Sequence, residues 1–538
     1  MKLSALLADV KEYEIIDEKG ALDLDTAGIE ISDLIYDSRK VISDSAFFCI
    51  TGARSDGNSY VSSAIKSGAS VIISEKDIEG IKAADPEYES CEKKVPVIRV
   101  KDAKKALALM SAAYFDYPAK KLVTIGITGT KGKTTTTYMV YSALMHAGVK
   151  TGLIGTINTI IGDTVIKSNN TTPISYLVEK YFADMVKAGL KCVVMEVSSQ
   201  AFLLDRVYGI NFDIGVFTNI SPDHIGPGEH DSFEDYMRCK GMLFKQCNMG
   251  IVNGDEELLD KVLEGHTCKL ESYGIDPKND IYASDIKLNT EDATLSVNYK
   301  LSEKKQVGSI PFDFDVTVDI PGRFSVYNSL CAVAIIRHLE ELSISELAEE
   351  DKEKYSVLKG ITKDDIKASL KKVSVPGRIQ MVPVSKKFSV MVDYAHNAVS
   401  LETLLTTLKE YNPKRLVCVF GCGGNRAKDR RYGMGEVSSK YADLTIVTSD
   451  NPRFEKPSEI IDDIIVGIKR ANGRYVTIED REDAIYYSLE HARPGDLIVV
   501  AGKGHEDYQE IKGVKHHMDD VEIIKAAAEK LDKQGRLL

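Results

Sequence analysis

The chain predicts an α/β protein built of several units in series, on three observations. At 538 residues it is too long for one ordinary core, so two to four domains are expected. Short apolar runs alternate with helix-period patterns along most of its length, as strands joined by helices do. Several of those runs are apolar throughout and break off into polar residues, which is how buried parallel strands read.

The best-marked unit surrounds Gly129-Thr130-Lys131-Gly132-Lys133-Thr134-Thr135. The apolar run 122–127 precedes it, and a helix pattern from Thr135 to Ala147 follows. Met139, Val140, Ala143, Leu144 and Ala147 share one face of that helix, and Gly148 offers a stop. Strand, glycine loop and helix together predict a phosphate site. Loop N–H groups and the helix N-terminus attract anions, Lys133 reaches the terminal phosphates, and the Thr134 hydroxyl can meet Mg²⁺. The spacing departs from the usual loop: five residues separate Gly126 from Gly132, and two separate Gly129 from it.

Residues 1–120 read as a small α/β domain with a mixed or parallel sheet, its strands near 46–50 and 69–73. Tyr117-Pro118-Ala119-Lys120 makes a linker. Residues 121–375 then carry the nucleotide strand and the runs 192–199 and 213–219. Carboxyl ends of parallel strands form the active edge of such sheets, so Glu196 and His224 are expected near the loop. The segment 270–320 alternates apolar and polar residues, as an antiparallel patch does. Residues 340–372, rich in Lys, Glu and Asp, are expected to form solvated helices. From about 376 to 538 strands are expected at 389–392, 415–420, 443–447, 475–478 and 497–500, with helices between them in a Rossmann-like order.

Composition narrows the function. The chain is 43% hydrophobic and 28% charged, with a net charge of -12, which argues against a general basic surface for nucleic acid. Asp9 and Lys11 interrupt the N-terminus before a signal core could form, and no apolar run approaches a membrane span. A cytoplasmic location and no membrane partner are expected. The nine cysteines form no C-x-x-C pair and read as reduced core thiols. Taken singly, the polar residues are ambiguous. Glu196 and His224 suit a divalent metal but equally a strand-end cap and a turn, and Lys240 reads from periodicity as a surface lysine.

Read together, the motifs resemble one family. Gly-Thr-Lys-Gly-Lys-Thr-Thr, Met195-Glu196-Val197-Ser198-Ser199, Asn219-Ile220-Ser221-Pro222-Asp223-His224, Gly377-Arg378, Asp393-Tyr394-Ala395-His396 and Gly502-Lys503-Gly504-His505-Glu506 look, in that order, like the Mur ligases. The resemblance implies an N-terminal domain binding a uridine nucleotide (1–120), a central P-loop ATPase-like domain (121–375) and a C-terminal Rossmann-like domain binding an amino acid (376–538). It implies ATP-dependent amide-bond formation through an acyl phosphate, with UDP-N-acetylmuramoyl-L-alanyl-D-glutamate as the acid, during cell-wall precursor synthesis in a monomeric enzyme.

The same resemblance assigns residues. Lys133, Glu196, His224 and Lys240 are implied to be catalytic, and Thr134, Glu196, His224 and a carbamylated Lys240 to hold Mg²⁺. Gly129 to Thr135, Asn328, Arg378, Asp393 and His396 are implied to bind ATP. Ser38, Asn170, Thr171, Thr172, Ser198 and Arg206 are implied to contact the UDP-linked substrate. Lys131, Ser325, Ala53-Arg54 and Leu204 depart from the common pattern. Asp450-Asn451-Pro452-Arg453 resembles the motif of the branch that adds meso-diaminopimelate, in which Arg426, Asn451, Arg453, Gly502 and Glu506 hold the amino acid. Arginine can grip the second carboxylate that lysine lacks. Against that, Arg453 could instead cap a helix or pair with Glu455. Addition of L-lysine, a folylpolyglutamate-like ligation, or a P-loop switch that ligates nothing are the competing readings.

Overall fold

A computed structural model describes residues 1–16, 28–52, 55–226, 228–304, 313–344, 349–356 and 361–538. Ala53 and Arg54 lie outside the described residues. The chain divides into two units, each with its own core. The first comprises Met1–Lys133, Gly148–Ser272 and His338–Gly360; the second comprises Thr134–Ala147, Tyr273–Arg337 and Ile361–Leu538.

The first unit begins with a five-stranded sheet in the order Tyr13–Ile16, Val97–Val100, Val71–Ser74, Ala46–Phe48, Leu34–Ile35. Its first pair is antiparallel and the others are parallel, so the sheet is mixed as expected. Helix Ala103–Tyr114 covers one face through Ala106, Leu107, Met110 and Ala113, spaced three and four apart. Asp102 caps it by accepting from Lys104 N and Lys105 N.

Further along the first unit, strands run in the order Cys247–Asn253, Phe212–Phe217, Val123–Thr128, Cys192–Glu196, Thr151–Ile154, followed by the antiparallel ribbon Asn158–Ile161 and Thr164–Lys167. The first five are parallel. Val123–Thr128 is buried at every residue and lies among them, which is why it carries no charge and its polar residues are only threonines. The register pairs Glu196 with Ile127 and Phe217 with Thr128. Their following residues therefore emerge on one sheet edge, as predicted for the phosphate loop, Glu196 and the 218–224 loop.

The charge-rich stretch 340–372 forms helices as expected, Glu349–Tyr355 and Lys363–Lys372, and departs from its solvated reading at Lys354 and Tyr355. Within the first unit Lys354 Nζ donates to Asp213 at 2.8 Å, and the Tyr355 hydroxyl bonds the same carboxylate. Asp213 is buried and accepts from Thr124 N and Oγ1 as well. A buried carboxylate needs such partners, and a lysine and tyrosine in a charged run were available to supply them. Residues 345–348 and 357–360 fall outside the described set.

In the second unit Ile281–Glu291, Thr294–Glu303 and Asp313–Val318 form the antiparallel meander expected for 270–320. Helix Lys133–His146 is buried at Thr134 to Val140 as well as at Ala143 and Leu144. Its buried surface is broader than the predicted stripe, because Thr134, Thr135, Thr136 and Thr137 are buried with the apolar residues, and the Thr136 hydroxyl finds a partner in the distant Asn328. Six strands follow in the order Gln380–Met381, Ser389–Asp393, Asp496–Ala501, Arg415–Phe420, Leu444–Val447, Tyr475–Thr477. Only the first pair is antiparallel. The hairpin Tyr508–Ile511 and Val514–His517 was not anticipated. Its turn residues Lys512 and Gly513 both have positive φ, 49° and 81°, and a two-residue X-Gly turn is a signal that could have been used.

Candidate active site

The phosphate loop is held by the neighbouring strand end. Thr130 N donates to Asn219 O at 2.8 Å, and Lys131 N donates to Asn219 Oδ1 at 2.9 Å. Asn219 Nδ2 and Thr218 Oγ1 both donate to Lys131 O. Gly129 has φ +148°, and a Cβ there would lie 1.9 Å from Thr218 Oγ1, so only glycine fits. Lys131 is gripped through its backbone, which is why a lysine is tolerated there.

Two amines meet on one carbonyl inside this loop. Lys133 Nζ donates to Gly129 O at 2.8 Å and to Thr130 O at 3.1 Å. Lys240 Nζ donates to the same Gly129 O at 2.7 Å and lies 4.3 Å from the Tyr236 ring. Lys240 is buried, not the surface lysine that helix periodicity suggested. Helix Phe233–Gly241 turns it inward: Tyr236, Met237 and Lys240 are all buried, while Ser232 caps the start by accepting from Asp235 N. Burial, and then the charge of Lys133, hold the Lys240 amine well below its ordinary pKa.

Glu196 ends its strand fully buried. Thr156 N donates to Oε1 at 2.7 Å and Thr156 Oγ1 to Oε2 at 3.0 Å. A Cβ on Gly155 would lie 2.6 Å from Oε1, so this glycine opens the seat of the carboxylate. Thr172 Oγ1 donates to Glu196 O and accepts from Ser198 N, while Arg206 Nη1 donates to Thr172 O at 2.7 Å. Burial lowers the pKa of Arg206. His224 sits at φ +53° with Nδ1 2.9 Å from Glu229 Oε1 and is half exposed.

A cavity of about 220 Å³ is lined by Lys133, Asn170, Thr171, Ser198, Arg206, His224, Tyr236 and Lys240 among others. Asn170, Gln200 and Arg206 also line a neighbouring cavity of about 600 Å³ that runs to Tyr36, Thr51 and Lys104. Ser38, at the start of the short turn Ser38–Lys40, does not line either.

The second unit holds two further groups. Thr134 and Thr135 are buried in the first turn of their helix, and Thr136 Oγ1 donates to Asn328 Oδ1 at 3.3 Å. Arg378 stacks 4.7 Å over the Tyr394 ring. Asp393 accepts from Ile379 N and Ala395 N, both at 2.8 Å; burial raises its pKa and Arg378 opposes that. His396 lies with Nδ1 2.8 Å from Tyr394 O, and burial favours its neutral ring.

The other group gathers Asn451, Pro452, Arg453, Gly502 and Glu506. Asn451 Nδ2 donates to Glu506 Oε2 at 2.9 Å, and Asn451 Oδ1 accepts from Lys503 Nζ and Glu510 N. Asp450 accepts from Asn451 N, and Gly502, at φ +113°, lets the chain pass where a Cβ would lie 2.9 Å from Asp450 Oδ2. A Cβ on Gly424 would lie 2.0 Å from Pro452 O, which packs the 421–426 loop onto this one. Arg453 donates to Glu510 Oε2 through Nε and to Gly424 O through Nη1. Glu455, the partner weighed from sequence, pairs with Arg431 instead. Arg426 is exposed at the end of its loop.

Comparison with known proteins decides the family. Models described as Mur ligase family, catalytic domain; Mur ligase middle domain; and Mur ligase, glutamate ligase domain match residues 30–115, 127–336 and 377–504. The UDP-N-acetylmuramoyl-L-alanyl-D-glutamate–2,6-diaminopimelate ligase 1 of Clostridium acetobutylicum is 40% identical over 97% of this chain and 98% of its own. The chain belongs to the Mur ligase family. The similarly named ligase of Clostridium botulinum is 38% identical over 97% of this chain and 99% of its own. Among solved structures, one of a UDP-N-acetylmuramoyl-L-alanyl-D-glutamate–2,6-diaminopimelate ligase aligns with TM-score 0.64 and 26% identity, covering 93% of this chain and 95% of that one. A MurF structure from Acinetobacter baumannii, 16% identical with TM-score 0.57 over 98% of each chain, shares the fold.

Within this Mur ligase, sequence reasoning missed Gly155 and Thr156, which seat Glu196, and the Glu510 side chain on Arg453. Thr156 is 40 residues from Glu196 and Glu510 is 57 from Arg453, so local patterns carried no trace of either. The usable signals marked the places and not the pairings: the run Ile154-Gly155-Thr156, a strand end breaking into glycine and threonine, and the Lys512-Gly513 turn next to Glu510.

Proposed function

We propose that the chain is a UDP-N-acetylmuramoyl-tripeptide synthetase that uses ATP to join meso-diaminopimelate to UDP-N-acetylmuramoyl-L-alanyl-D-glutamate in peptidoglycan precursor synthesis. The observation that carries the reading is the pair of lysine amines on Gly129 O, lining one cavity with Arg206 and His224. The names of the full-length relatives support the same acceptor and donor.

A carboxylate is a poor electrophile because its oxide cannot leave, so phosphorylation by ATP must come first. The loop N–H groups and Lys133, released from Gly129 O and Thr130 O, receive the phosphates. Arg206, Asn170 and Thr171 line the cavity where the substrate's acidic end would lie. The amine of the amino acid then attacks the acyl phosphate carbon, the C–N bond forms and phosphate leaves with the bonding pair.

The donor set suits a hard divalent cation. Glu196 offers a buried carboxylate already aligned by Thr156, and His224 has its Nδ1 committed to Glu229, which leaves Nε2. Lys240 becomes an anionic ligand once its amine has taken up CO₂, forming an N–C bond and losing a proton. Its lowered pKa favours the neutral amine that this addition needs. Mg²⁺, when bound, would offset repulsion between the triphosphate and the carboxylate.

The amino-acid end rests on Arg453, Asn451, Gly502 and Glu506. Arg453 suits a distal carboxylate, and Glu506 a distal ammonium. Lysine is the second reading, favoured by one observation: Arg453 already faces Glu510 and would not be left unpaired by a substrate lacking that carboxylate. The proposal takes the enzyme as monomeric and cytoplasmic. No helix among the described residues is long and apolar enough to cross a membrane.

The test is phosphate release from ATP with the UDP-linked dipeptide and each amino acid supplied separately. Release should require the dipeptide and diaminopimelate together. Turnover with lysine alone would overturn the specificity, and hydrolysis indifferent to both acceptors would point to a nucleotide switch.

A further inference from the structure

Arg453 is held more tightly than a substrate-reading arginine needs to be. Its backbone lies at φ +52°, a region non-glycine residues rarely occupy. Arg453 N donates to Glu510 O at 2.9 Å, and Lys512 N donates to Arg453 O at 2.7 Å, so the loop is stitched to the hairpin beginning at Tyr508. Glu510 N in turn donates to Asn451 Oδ1 at 2.8 Å. The side chain is clamped as well: Nε donates to Glu510 Oε2 at 3.2 Å and Nη1 to Gly424 O at 2.8 Å. Gly423 lies alongside, where a Cβ would stand 3.5 Å from Nη1, an ordinary contact.

We propose that Glu510 is a positioning residue that sets how sharply the site distinguishes an amino acid with a distal carboxylate from one without. This rests on the reading of Arg453 as the group that meets that carboxylate. Glu510 has two opposed effects. By occupying Nε it fixes the guanidinium so that a carboxylate arrives end-on at the two Nη atoms. Its charge also neutralises part of Arg453, weakening the pull on a carboxylate and sparing the arginine from being unpaired when lysine enters. An arginine without such a partner would penalise lysine more, because a half-buried donor left unsatisfied is costly. With both side chains about a quarter exposed, the pair is screened but not fully solvated.

The two effects separate on substitution. In Glu510→Gln the amide oxygen still accepts from Nε, so the guanidinium stays in place while the opposing charge is gone. The backbone bonds of residue 510 do not depend on its side chain. The ratio of kcat/KM for diaminopimelate over lysine should rise by roughly fivefold, the size of one screened charge interaction. KM for ATP and Tm should stay put, as they would not if Glu510 merely held the hairpin together. In Glu510→Ala the clamp is lost too, and KM for diaminopimelate should exceed that of Glu510→Gln several-fold. An unchanged ratio in Glu510→Gln, in an enzyme that does use diaminopimelate, overturns the inference. So does a diaminopimelate KM in Glu510→Ala equal to that in Glu510→Gln. Wild-type turnover with lysine and none with diaminopimelate would instead overturn the reading of Arg453 on which it rests.

Discussion

Replacing Gly155 by alanine probes the seat of Glu196 without touching any residue assigned to the chemistry. Gly155 does not occupy the left-handed region, so alanine brings no backbone strain of its own. The added methyl would stand 2.6 Å from Glu196 Oε1, where ordinary contact begins near 3.4 Å. The carboxylate must therefore retreat by about 0.8 Å. That is enough to stretch the 2.7 Å bond from Thr156 N to the limit of a hydrogen bond. A charge-assisted bond of this kind contributes about 1.5–3 kcal/mol, and misplacing a reacting constellation by about 1 Å costs on the order of a hundredfold in rate. Gly155→Ala should lower kcat for phosphate release by roughly that factor. Circular dichroism should show a native fold, and the dipeptide KM should change little. A kcat within about twofold of wild type, with the fold intact, would mean that the position of Glu196 does not govern the reaction.

Two other outcomes follow from buried groups. Lys240→Ala should lose most activity, and a short carboxylic acid added to the assay should restore part of it by standing in for the carbamate. Full activity in the variant without any additive would refute the carbamate role. Glu179 is buried with Oε2 unbonded, and burial pushes its carboxyl up to about 8 from an ordinary 4.5. The protonated form therefore stabilises the fold below pH 4.5, and that contribution drains away as pH rises through about 8, amounting to about 5 kcal/mol at 1.36 kcal/mol per pKa unit. Glu179→Gln should gain stability over wild type between pH 5 and pH 8.5 in urea melts, on a scale approaching that figure. Parallel stability curves for the two proteins would contradict it.

The strands and the polar loops at their ends were legible because buried parallel strands are uniformly apolar and stop abruptly. Cys192–Glu196, Arg415–Phe420 and Leu444–Val447 appear within a residue or two of where the apolar runs put them. Sequence patterns sort residues by the polarity of a helix face, and that is where they failed. Lys240 reads as solvated because lysine ordinarily is, yet its amine is turned onto Gly129 O by a helix whose Tyr236 and Met237 are buried beside it. Lys354 and Tyr355 were hidden in a charged run for the same reason, their partner Asp213 being far off in sequence. The Glu510 clamp on Arg453 depends on a hairpin whose Lys512-Gly513 turn was readable and on a pairing 57 residues apart that was not.

The central claim is that this enzyme activates a substrate carboxylate by phosphorylation before the amine arrives. It can be tested by placing oxygen-18 in the D-glutamyl side-chain carboxylate of the UDP-linked dipeptide and analysing the phosphate released during turnover with diaminopimelate. One labelled oxygen should appear in each phosphate, carried over when the acyl phosphate is broken by the amine. Phosphate free of label, released at the rate of product formation, would contradict the account.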